Sequence, residues 1–137
     1  MFKVDIGKID VVRLSDIWGL QRTDELIEMT PFGDFFIKDE KGAYWLYSLT
    51  DGEVKNVSAE IQEYGLPPVE VALGDEWYQL DAQSVLAEEG WCLEAGQCFS
   101  FREPVFRGGD YSLDNMMVED IYAYSCRIHG FVSLNRA

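Results

Sequence analysis

Basic residues are scarce in this chain: 11 Lys and Arg stand against 25 Asp and Glu, a formal net charge of -14. A surface that neutralises phosphates needs clustered Lys and Arg, so the balance argues against DNA, RNA and anionic membrane as partners and leaves a basic partner open. Long apolar runs are missing too. No stretch approaches the roughly 18 uninterrupted apolar residues of a membrane span. The start, Met1-Phe2-Lys3-Val4-Asp5, carries no apolar h-region, which predicts a cytoplasmic protein. Cysteine is sparse and unpaired by spacing: Cys92, Cys98 and Cys126 are odd in number and lack a CxxC pattern, as expected of reduced thiols. Histidine occurs once, at His129.

What is present is a core. With 137 residues, 47% of them hydrophobic and 14% aromatic, the chain suits one compact domain spanning 1–137. The acidity is uneven, because residues 32–95 hold 14 acids and 3 bases and so supply -11 of the net charge. From Asn56 to Phe101 there is no Lys or Arg at all. That stretch reads either as a solvated face that aids solubility or as a one-sign contact surface.

Local patterns predict the elements. Residues 1–31 form a helical lead-in, in which Val11, Val12, Leu14, Ile17 and Trp18 precede Gly19 and Thr23 caps a short helical turn through Met29. Phe32-Gly33-Asp34-Phe35-Phe36-Ile37 and Ala43-Tyr44-Trp45-Leu46-Tyr47 flank Asp39-Glu40-Lys41-Gly42, which predicts a β-hairpin. A turn at Thr50-Asp51-Gly52 extends it to a three-stranded meander ending at Val57. A short helical piece holds Ile61 and Tyr64 before Pro67-Pro68. The segment 75–89 has acids in its first turn and Gly90 past its end, and predicts one helix. A strand over 96–102, a turn at Gly108-Gly109-Asp110 and a helix from Val118 to about Leu134, with Ile121, Ser125, Ile128 and Val132 on one face, complete the reading. Strand spacing of Tyr122, Tyr124, Cys126 and Ile128 is the competing pattern there.

No residue set assembles a complete catalytic apparatus. Cys92, Cys98, Cys126 and His129 allow a zinc site by arithmetic, but Cys92 and Cys98 are not at the two-to-four spacing of paired ligands. His129 is the one base available to a cysteine nucleophile, but a single histidine on an amphipathic segment is more often a packed or hydrogen-bonded structural residue. No metal or cofactor is expected. Cys98, between apolar neighbours, reads as a small buried hydrophobe. The aromatics Phe35, Phe36, Tyr44, Trp45 and Tyr47 read as core, since the Lys and Arg of a base-stacking surface are absent around them.

In order along the chain, Phe32-Gly33-Asp34-Phe35-Phe36, Gly96-Gln97-Cys98-Phe99-Ser100-Phe101, Pro104, Gly108-Gly109-Asp110-Tyr111, Asn115 and Ile128-His129 resemble the C-terminal domain of type VI secretion immunity proteins, a family often found behind a GAD-like domain. The resemblance covers about residues 31–130, so 32–130 would be the immunity-type domain. Only some 30 residues precede it, too few for a GAD-like domain, and Cys126-Arg127 departs from the pattern before Ile-His. More distantly the chain is similar to the SMI1/KNR4-like immunity superfamily, which implies an α+β fold with a central antiparallel sheet packed against helices.

The resemblance implies a non-enzymatic antitoxin that binds a cognate toxin. The acidic middle supplies a mechanism, because Asp and Glu can occupy the basic cleft of a nuclease and steer its association. The expected contact residues are Glu70, Asp75, Glu76, Trp77, Asp81, Glu88, Glu89 and Trp91, with the aromatics able to serve as core instead. The rival reading is a small-molecule or regulatory module whose pocket is lined by Phe99, Phe101, Gly108, Gly109 and Tyr111. Exposed aromatics would also suit a homodimer seam.

Overall fold

The computed structural model describes residues 2–132 and 136. Its element order is α1 (Val11–Trp18), β1 (Glu25–Met29), β2 (Phe35–Lys38), β3 (Tyr44–Ser48), β4 (Glu53–Asn56), α2 (Ser58–Tyr64), α3 (Val71–Tyr78), α4 (Leu80–Glu88), β5 (Gln97–Phe101), β6 (Met116–Asp120) and α5 (Ile121–His129). The fold is α+β: β1 to β4 make one antiparallel sheet in sequence order, and β5 pairs antiparallel with β6 in a second.

The aromatic hairpin needs both of its faces covered, which is why it lacks a polar side. Phe35 pairs with Tyr47, Phe36 with Leu46 and Ile37 with Trp45. Alternation sends Phe35, Ile37 and Tyr47 toward Leu14 and Trp18 of α1 and Tyr124 and Ile128 of α5. It sends Phe36 and Leu46 the other way, onto Val57, Ile61 of α2 and Trp77 of α3. A third cluster, Phe32, Phe99, Phe101 and Met116, is closed by Leu86 of α4. Phe32, Phe35, Phe36, Phe99 and Phe101 are all buried, and each contributes roughly 1.5–3 kcal/mol through the area removed from water.

Three expected elements differ. Residues 25–29 form a strand, not a helical turn, because they complete the open edge of β2 with a register shift between Leu26 and Glu28; pairing outweighs local propensity. The end of the lead-in therefore belongs to the sheet, while Val11–Trp18 is helical as expected. The single helix expected over 75–89 is two helices, and the first starts at Val71, capped by the Glu70 carboxylate, which accepts from the Ala72 and Leu73 amides. Val118 lies in β6, and the last helix begins only at Ile121, where Asp120 accepts from the Ala123 amide. Ile121, Ser125 and Ile128 share its buried face as the spacing predicted, Val132 is buried just beyond it, and Leu134 lies outside the described residues. Among the described residues no helix is long and apolar enough to cross a membrane.

The motif residues join these parts. Phe32-Gly33-Asp34 is the turn between β1 and β2, in which Gly33 adopts φ +83° and a Cβ would press on Cys98 Sγ at 3.2 Å and the Tyr124 ring at 3.3 Å. Next to it the Phe99 amide donates to the Pro31 carbonyl at 2.7 Å and so ties β5 to the first sheet. Asn115 clamps the loop before β6: its Nδ2 donates to the carbonyls of Glu103 and Asp110, and its Oδ1 accepts from the Glu103 amide.

Candidate functional site

A concavity of about 510 Å³ opens between the first sheet, the α3–α4 junction and the loop that Asn115 closes. Its floor is Asp34, at the start of β2. The side chain is only 4% exposed, yet it carries a carboxyl group. Its Oδ1 accepts from the Leu49 amide at 2.7 Å and the Thr50 amide at 3.0 Å, and the Thr50 hydroxyl donates to Oδ2 at 3.1 Å. Burial dominates over these bonds and pushes the carboxyl pKa up to about 7, with the nearby Asp51 acting in the same direction.

The α3–α4 break shapes the opposite wall. Gln79 adopts φ 50°, ψ 56°, a left-handed conformation that costs a non-glycine residue roughly 1 kcal/mol. Polar side chains hold the break: Gln83 Nε2 donates to the Tyr78 carbonyl at 2.6 Å, and Asp75 Oδ1 accepts from the Asp81 amide at 3.3 Å. Gln79 Nε2 reaches across the concavity and donates to Thr50 Oγ1 at 3.1 Å, while Gln79 Oε1 is buried without a hydrogen-bond partner. Strain at a pocket wall that surrounding contacts maintain is a pattern found at binding sites.

The walls are apolar and the rim is acidic. Leu46, Trp77, Val85, Leu113 and Met116 supply hydrocarbon, and Tyr111 stands at the mouth, 53% exposed, its ring edge-on to Phe101 at 5.4 Å. Asp51, Asp75, Glu76 and Asp81 line the same space, and no Lys, Arg or His does among the described residues. The neighbouring cation Lys55, its side chain 34% exposed, approaches Glu76 at 3.9 Å, a long solvent-screened pair worth under about 1 kcal/mol. Five carboxyl groups around an apolar interior give the concavity the chemistry to hold a cation that also carries hydrocarbon.

The expected contact residues divide. Asp75, Glu76, Trp77 and Asp81 line the concavity. Glu70 is spent on capping α3, Glu88 and Glu89 are exposed at the end of α4, and Trp91 packs on Phe99 at a ring distance of 6.0 Å. Trp77 is mostly core: it is 4% exposed and lies 5.0 Å from the Phe36 ring. The acidic run thus divides between acids that line the concavity and acids that do not.

Of the rival pocket residues only Tyr111 lines the concavity. Phe99 and Phe101 are buried in the third cluster, which requires their side chains to fill space rather than enclose it. Gly108 closes the short 3-10 turn Val105–Arg107 at φ 100°, and Gly109 is packed so closely that a Cβ would lie 1.9 Å from the Glu103 carbonyl oxygen. These glycines shape the loop that presents Tyr111.

The thiol and histidine candidates lie elsewhere and apart in environment. Cys98 is buried, and burial raises its thiol pKa well above the ordinary value, against thiolate formation. Cys92 and Cys126 are exposed, and His129 Nδ1 bonds the Cys126 carbonyl at 2.9 Å while its ring meets Trp18 edge-on. Among the described residues no three His, Cys, Asp or Glu side chains gather as a metal site.

Sequence reasoning missed Asp34, Asp51, Thr50 and Gln79 as site residues. The signal for Asp34 was present, since it is an acid inside an otherwise apolar run, Phe32 to Ile37. Nothing local marks Gln79. No protein-family model matches the chain, and no curated protein matches it.

Proposed function

We propose that this protein acts without catalysis, as an immunity-type antitoxin that binds and neutralises a basic secreted toxin such as a nuclease. The single observation that supports this most is the gathering of Asp75, Glu76 and Asp81 with Asp34 and Asp51 around one concavity free of basic side chains among the described residues. A one-sign rim raises the local concentration of an oppositely charged surface and its rate of encounter, while the apolar interior supplies the anchor that charge alone does not. The partner is a protein of opposite charge, and the resemblance to immunity proteins supports a toxin as its class.

Titrating the purified protein with the product of the gene beside its own tests this. Binding is expected at about 50 mM salt and should weaken at least tenfold by about 500 mM, where the screening length falls to a few ångströms. Absence of binding at low salt contradicts the reading. The volume of the open concavity, about 510 Å³, favours a second reading, a module for a small organic cation, because it lies within the range of small-molecule pockets.

A further inference from the structure

We propose that the concavity is a receptor for one guanidinium group, that of an arginine on the protein partner, seated with Asp34 as its counter-ion. The inference rests on the reading of this face as a partner's contact surface and says which group enters it. Asp34 is a buried carboxyl bordering open space, and none of the ion pairs among the described residues involves it. Burial without a cationic partner disfavours the charged form of Asp34, so a cation arriving there gains by stabilising that form.

Three features select guanidinium over ammonium. The interior is apolar, and guanidinium is the more weakly hydrated cation, so it loses less on entry. The acceptors are spread: Asp34 Oδ2 holds one long bond from Thr50, and the buried Gln79 Oε1 has none, which suits the planar fork of five donors better than a point charge. Tyr111, which lines the concavity and is 53% exposed, supplies an aromatic ring, the kind of group on which a guanidinium stacks. A cavity of about 510 Å³ takes the whole side chain with part of the backbone behind it.

The test uses the wild-type protein and three blocked amino acids: N-acetyl-arginine amide, its neutral isostere N-acetyl-citrulline amide, and N-acetyl-lysine amide. Arginine amide, with about 15 heavy atoms, should bind with a dissociation constant on the order of 1 mM and move the amide resonances of Thr50 and Gln79. Citrulline amide should bind at least tenfold more weakly and lysine amide severalfold more weakly. Asp34→Asn, which leaves an acceptor facing the Leu49 and Thr50 amides, should lose arginine amide at least tenfold. Arginine amide should also compete with the product of the neighbouring gene.

Equal binding of citrulline and arginine amides, or no resonance shift at about 20 mM arginine amide, overturns the inference. Binding without competition overturns the assignment to a partner's arginine and leaves a small cationic ligand as the source. If the toxin binds in a salt-dependent way while arginine amide does not bind, the guanidinium inference falls and the antitoxin reading stands. If arginine amide binds and the toxin does not, the antitoxin reading falls, and with it the partner's arginine.

Discussion

Replacing Asp34 by alanine is expected to destabilise the protein by about 3–5 kcal/mol at low pH, whereas asparagine should be close to neutral below about pH 4 and stabilising at about pH 8. Alanine leaves the Leu49 and Thr50 amides buried without an acceptor, at roughly 1–3 kcal/mol each. Asparagine keeps that acceptor, since both amides bond Oδ1. The pH dependence follows from the carboxyl pKa of about 7 in the fold against the ordinary 3.8 of the unfolded chain. Between those values the folded state holds a proton that the unfolded state has released. Stability from this group is therefore complete below the unfolded pKa and is lost as pH rises to the folded one, by on the order of 4 kcal/mol. Denaturant unfolding of wild type and Asp34→Asn across this range checks it: the difference should grow from near zero to several kcal/mol. A difference that does not change with pH refutes the buried, uncompensated charge.

The second large effect is on binding. Asp75→Lys, Glu76→Lys and Asp81→Lys together should weaken the toxin complex by at least about 100-fold, mostly through slower association, with little change in stability. The stability change should stay within about 1 kcal/mol, since Glu76 makes only a long contact with Lys55 and Asp75 loses one long bond, from the Asp81 amide at the α3–α4 break. The control is Glu88→Lys with Glu89→Lys. These acids belong to the same basic-free run but do not line the concavity, so reversing them should change affinity less than about threefold. Equal losses in the two variants mean that total charge, not this place, governs association. Surface plasmon resonance at two salt concentrations reads both rates.

Much of the fold was legible because its strongest signals are local. The hairpin of β2 and β3 follows from two aromatic runs around Asp39-Glu40-Lys41-Gly42, and the next turn from Thr50-Asp51-Gly52. Where the chain deviates, distant partners decide. Residues 25–29 become a strand because β2 offers an edge, and the helix over 75–89 breaks because Gln79, Asp75 and Gln83 bond out of register with a continuous helix. Of the site, the acidic rim on α3 and α4 was legible as charge along the chain. The floor was not, since Asp34 and Thr50 are brought under that rim only by packing the sheet against α3. Which acids stay apart was equally hidden: Glu70 caps a helix whose start the sequence did not reveal.

Hydrogen exchange of the protein alone and in complex with the toxin tests most directly whether the partner sits in this concavity. Slowed exchange is expected at residues 49–52, 71–82 and 111–113, which surround it, with little change on the outer surface of α1 and α5. Protection confined to α1 and α5, with residues 71–82 exchanging as fast as before, would contradict the assignment of the acidic concavity as the binding site.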